Sequence, residues 1–161
     1  MNLQRNIFIK MSEQNIPNVE TQMLIRKPAN EVFNAFIDPA VTTNFWFTKS
    51  SGKLEVGKKV NWQWEMYGAS AGVLVKEIIP NQKIIAEWGE PATTIEFNFE
   101  AIDENNTYVV IKNYGFHQTG DDLIAAIKDS TGGFTTVLDG LKAYLEHGVK
   151  LNLIGDKFLK K

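Results

Sequence analysis

The chain has 161 residues, 43% hydrophobic and 22% charged, with a net charge of −2 from 17 basic and 19 acidic side chains. That composition fits one domain with a core of its own and excludes a disordered chain. It lacks the basic stripe with which nucleic-acid binders neutralise phosphates, and with no cysteine it has no disulfide, thiolate nucleophile or cysteine metal site.

Residues 1–18 are mixed and polar and read as a loose lead-in. Their apolar run, Ile7 to Ile9, is too short for a signal-peptide core. No segment approaches a membrane span, so the expected location is the cytoplasm, without stable membrane insertion. Val19 to Arg26 reads as a strand. Pro28 sits where a first-turn proline belongs, and Val32, Phe33, Phe36 and Ile37 then form an apolar helical stripe. Asp38-Pro39 is an N-cap followed by a proline at the first helical position, which predicts a second short helix to about Trp46.

The period then changes from 3.6 to 2. Val60, Trp62, Trp64 and Met66 alternate with Asn61, Gln63 and Glu65, the clearest strand in the chain. Tyr67 to Ser70 reads as a turn, and Ala71 to Ile79 as the next strand, stopped by Pro80-Asn81. Ile84, Ala86 and Trp88 alternate up to Gly89-Glu90-Pro91, and Ile95, Phe97 and Phe99 up to the turn Asp103–Asn106. Val109, Ile111 and Asn113 share one face of the last strand. Strands joined by such short turns are antiparallel.

After Gly120 the helical period returns. Asp121-Asp122 opens a short stretch, Leu123 to Lys128, and Gly132-Gly133 precedes the longest helix. That helix carries Phe134, Val137, Leu138, Leu141 and Leu145 on one face and ends near His147 with Gly148 as its C-cap. A meander with one apolar face must bury that face, and this helix is the element long enough to cover it. The expected division is a lead-in over 1–18, one domain over 19–148 and a lysine-rich tail over 149–161. The fold class is α+β: about six to seven antiparallel strands in a curved sheet around a long C-terminal helix, with two short helices after the first strand.

Several spaced residues resemble the activator of heat-shock protein 90 ATPase homologue-like family, part of the START-like (SRPBCC) helix-grip superfamily. They are Ile25, Pro28, Val32-Phe33, Ala35-Phe36, Asp38-Pro39 and Trp46-Phe47, then Val56-Gly57, Gly72, Ile78, Pro80 and Trp88. Tyr114-Gly115-Phe116, Gly132-Gly133-Phe134, Leu138, Leu141 and Leu145 complete the set, which spans roughly residues 19–148. The resemblance implies a helix-grip fold whose members include co-chaperones, cyclases and lipid carriers. Two positions depart from the family pattern: Phe134 stands where a Gly-Trp pair often begins the long helix, and Asn113 where many members carry a histidine.

Candidate chemical groups are sparse. His117 and His147 are the only histidines and are too far apart in sequence to suggest a metal site or a triad, so neither a metal nor a cofactor is implied. Asp121-Asp122 complements a helix start. Gly132-Gly133 lacks the Lys-Ser/Thr of a phosphate loop. Val56-Gly57-Lys58-Lys59 reads as a solvated turn. The tail mixes Leu151, Leu153, Ile154, Phe158 and Leu159 with lysines, which favours docking on the domain or a dimer contact over a membrane surface. The tryptophans are the strongest functional hint, since they line pockets with apolar area plus one N–H donor. With the sheet and helix arranged as the resemblance implies, a cavity is expected, lined by Trp46, Trp62, Trp64, Val73, Trp88 and Asn113. Val137, Leu141 and Tyr144 would roof it. Three roles follow in order: carrier or sensor of a small apolar molecule, co-chaperone-like module acting on a chaperone ATPase, and cyclase or hydratase working by confinement. A test of the last falls on Asn113, Tyr114 or Glu65.

Overall fold

The computed structural model describes residues 17–159. The lead-in up to residue 16 and the final Lys160 and Lys161 lie outside the described residues. The elements in chain order are β1 (Val19–Ile25), α1 (Ala29–Ile37), α2 (Pro39–Thr42), β2 (Lys49–Ser50), β3 (Lys59–Trp64), β4 (Ala69–Ile79), β5 (Lys83–Trp88), β6 (Thr93–Asp103), β7 (Asn106–Tyr114), α3 (Gly120–His147) and α4 (Leu153–Asp156). The strands form one seven-stranded antiparallel sheet, ordered β1-β7-β6-β5-β4-β3-β2.

Alternation builds the core. Ile95, Phe97 and Phe99 of β6 are buried opposite Asn113, Ile111 and Val109 of β7, while the residues between them face away. Helix α3 closes this face with Phe134, Val137, Leu138 and Leu141, each at most 3% exposed. Helix α1 adds Val32, Ala35 and Phe36. Asp38 caps α2 by accepting a hydrogen bond from the Ala40 amide, with Pro39 at the first position. Gly140 brings α3 against the segment after α2: a Cβ there would lie 3.2 Å from the Phe45 carbonyl oxygen.

The structure corrects four expectations. The long helix begins at Gly120, not Gly133, and runs 28 residues straight through Gly132-Gly133. Each internal glycine costs about 1 kcal/mol in helix propensity, but tertiary packing of the apolar face outweighs that cost. Asp121 and Asp122 then lie in its first turn, where they complement the dipole. Met66 leaves the β3 pattern, because Glu65–Tyr67 winds into a single 3-10 turn ending at Gly68, whose φ of 61° suits glycine. Strand β4 therefore starts at Ala69. Helix α2 is regular only to Thr42, although the Phe45 and Trp46 amides still donate to the Thr42 carbonyl. No helix among the described residues is long and apolar enough to cross a membrane.

Candidate ligand cavity

The strand ends at one edge of the sheet leave a space beneath the middle of α3. Trp64 ends β3, Ala69 starts β4, Trp88 ends β5, Thr93 starts β6, and Asn113 lies one residue from the end of β7. All five line a cavity of about 470 Å³. Helix α3 supplies the opposite wall with Ala126, Ser130, Gly133, Phe134 and Val137, spaced to share one face. Nothing lies within 4 Å of a Cβ built on Gly133, so this glycine leaves the cavity open where any side chain would intrude.

The walls are aromatic. Trp46 packs edge-on to Trp64 and Trp88 at 6.4 and 6.2 Å between ring centroids, and Trp88 lies 5.7 Å from Phe134. The mouth is crossed by the C-terminal segment. Ile154 of α4 packs on the core, and Phe158 stands edge-on to Tyr67 at 6.2 Å. The Tyr67 hydroxyl donates to the Ile154 carbonyl, and the Lys157 ammonium donates to Thr136 Oγ1 at 3.1 Å. The tail expected to dock or to make a dimer contact thus forms part of the cavity wall.

The predicted lining residues divide into two groups. Trp46, Trp64, Trp88, Asn113 and Val137 line the cavity. Trp62, Val73, Leu141 and Tyr144 do not. Trp62 is 1% exposed and stacked on Phe47 at 4.7 Å, beneath Trp46. Val73 and Leu141 are fully buried in the core, and Tyr144 lies two helical turns beyond Val137. Sequence reasoning missed Thr93, Ser130 and Gly133 on the sheet and helix, and Tyr67, Ile154 and Phe158 at the mouth. The first three were detectable: Thr93 continues the inward series of Ile95 and Phe97, and Ser130 and Gly133 lie one turn before Phe134 and Val137.

The polar groups are connected. Asn113, 2% exposed, donates from Nδ2 to Thr93 Oγ1 and to the Thr94 carbonyl, both at 2.9 Å, and its Oδ1 accepts from the Ser130 hydroxyl at 2.8 Å. Asp129, Gln118 and Lys157 stand at the exposed rim. The other groups considered for chemistry lie elsewhere. Glu65 is exposed on the 3-10 turn. Tyr114 points to the outer face of β7 and donates to Glu96 at 3.0 Å; burial, then the Glu96 carboxylate, pushes its phenol above the ordinary value. The exposed His117 ring bonds the Ala92 carbonyl, tying the loop after β7 to the start of β6. Among the described residues no three His, Asp or Glu side chains gather as metal ligands would.

A curved antiparallel sheet gripping one long helix defines a helix-grip protein. Residues 26–146 match the family described as activator of Hsp90 ATPase homolog 1-like protein, and the chain belongs to that family. A Staphylococcus saprophyticus protein of known structure is 32% identical, with a TM-score of 0.74 over 84% of this chain and 96% of that one. The Aha1 dimer from Colwellia psychrerythraea is 21% identical, with a TM-score of 0.69 over 82% of this chain and 98% of that one. DynU16, a protein of the dynemicin biosynthetic locus, shares the fold at 17% identity and a TM-score of 0.73, over 83% of this chain and 48% of its own. No curated protein matches the chain.

Proposed function

We propose that the chain binds small, predominantly apolar molecules in this cavity and acts as a carrier or sensor of them. One observation carries the reading: about 470 Å³ of space is left among tryptophans, phenylalanines and a helix glycine, in a domain whose other half is closely packed. Ligand pockets fall in the range of about 300–1,000 Å³ and combine apolar walls with a few placed polar groups. Filling such space with ligand replaces water against aromatic faces and gains about 25 cal/mol per Å² of apolar surface covered. The test is intrinsic tryptophan fluorescence and thermal unfolding during titration with palmitate, naringenin and cholesterol. At least one should saturate the fluorescence change and raise the melting temperature by linkage. Trp64→Ala should remove both effects. A set of ligands that shifts neither signal would defeat the reading.

A protein-interaction role is the second reading, supported by the family's relation to an activator of the Hsp90 ATPase and by the dimer formed by the Colwellia protein. Sedimentation of the chain alone and with an Hsp90-type ATPase separates it from the first: a stable complex with stimulated ATP hydrolysis would favour it.

A further inference from the structure

The hydrogen-bond directions inside the cavity are determined by one atom. The Thr94 carbonyl oxygen can only accept, so the Asn113 amide nitrogen must face it. The second N–H of that nitrogen then donates to Thr93 Oγ1, and Oδ1 must face Ser130, which donates its hydroxyl proton. Both Asn113 donors and the Ser130 proton are thereby occupied. Asn113, the most deeply buried polar side chain of the cavity wall, has no N–H left to offer a ligand carbonyl.

The proton of Thr93 is different. Its oxygen accepts from Asn113, and none of the side-chain hydrogen bonds among the described residues is donated by its hydroxyl. Thr93 lines the cavity opposite Trp88 on the neighbouring strand, on the inward face continued by Ile95 and Phe97. The bonds run head to tail, Ser130 to Asn113 to Thr93, so each polarises the next and sharpens the last donor. We infer that Thr93 is the specificity-determining donor of this cavity, and that the ligand is an apolar molecule presenting a carbonyl oxygen to the Thr93 hydroxyl. Its apolar body would lie against Trp64, Trp88 and Phe134, whose rings pack on one another at 5.7 and 6.2 Å between centroids and form one aromatic wall beside Thr93. This rests on the proposed cavity binding and adds to it the chemical class of the ligand.

The test uses two probes of one shape, 2-acetylnaphthalene and 2-isopropenylnaphthalene, which differ by a carbonyl oxygen in place of a methylene group. Affinities for both are measured on the full chain and on Thr93→Val, Thr93→Ser and Ser130→Ala. The informative quantity is the ratio of the two affinities, which a general loss of stability leaves unchanged. In Thr93→Val the preference for the ketone should fall about fivefold or more, the worth of one hydrogen bond. Thr93→Ser should keep the preference, and Ser130→Ala should weaken it by less. An unchanged ratio in Thr93→Val would overturn the inference while leaving cavity binding intact. Failure of both probes to bind the parent chain would remove the cavity reading and this inference with it.

Discussion

Gly133→Leu should make the protein more stable and at the same time unable to bind. In a helix interior, leucine is favoured over glycine by about 0.8 kcal/mol. The new side chain would enter the cavity, where nothing lies within 4 Å of its Cβ. Partial burial against Phe134 and Trp88 adds on the order of 1 kcal/mol, below the 1.5–3 kcal/mol of full burial. A gain of about 1–2 kcal/mol corresponds to roughly 3–8 °C in melting temperature for a domain of this size. Calorimetry of parent and variant reads that gain, and titration with 2-acetylnaphthalene reads the loss of binding, expected at tenfold or more. A lower melting temperature would mean that the site at Gly133 is already filled. An unchanged affinity with higher stability would mean that the probe binds elsewhere.

Leu141→Ala should cost about 2–5 kcal/mol, because its side chain is fully buried between α3 and the sheet; an unchanged urea midpoint would remove Leu141 from the core. Glu146 governs part of the acid limb. Burial alone would push its carboxyl up, but the Lys142 hydrogen bond at 2.6 Å, the Arg26 amide and the Lys142 and His147 charges hold it below its ordinary value of 4.5. A depressed folded-state pKa adds stability above the unfolded value, and that stability is lost as pH falls through the folded value. Glu146→Gln should therefore be less stable than the parent at pH 7, by about 1–3 kcal/mol, with the difference shrinking below about pH 4.5. Urea midpoints measured from pH 7 to pH 3 check this, and a difference constant with pH would contradict it.

Alternation grouped Trp62 with Trp64, Trp88 with Ile84 and Asn113 with Ile111 on shared faces, and the resemblance to the helix-grip fold supplied the step that turns those faces toward the helix. Alternation carries no information on depth along the strand. Trp62 and Trp64 share a face, yet Trp62 is sealed beneath Trp46 and Phe47 while Trp64 borders the opening. Val73 and Leu141 are fully buried in the core, and an apolar pattern alone does not separate a packed core position from a cavity wall. Helix α3 was split at Gly132-Gly133 because local propensity argues for a break there, and the split hid the face Ala126, Ser130, Gly133, Val137 that walls the cavity. The tail's part in the mouth depends on Tyr67 bonding a backbone carbonyl 87 residues away, a contact no local pattern encodes.

The central claim, that apolar molecules bind between the open end of the sheet and α3, is tested most directly by the four tryptophan indole N–H signals in a ¹H–¹⁵N NMR titration. On adding 2-acetylnaphthalene, the signals of Trp46, Trp64 and Trp88 should move and saturate together, since all three line the cavity. Trp62, 1% exposed and stacked on Phe47, should move least. Stationary indoles, with shifts confined to amides on the outer face of the sheet, would contradict the account.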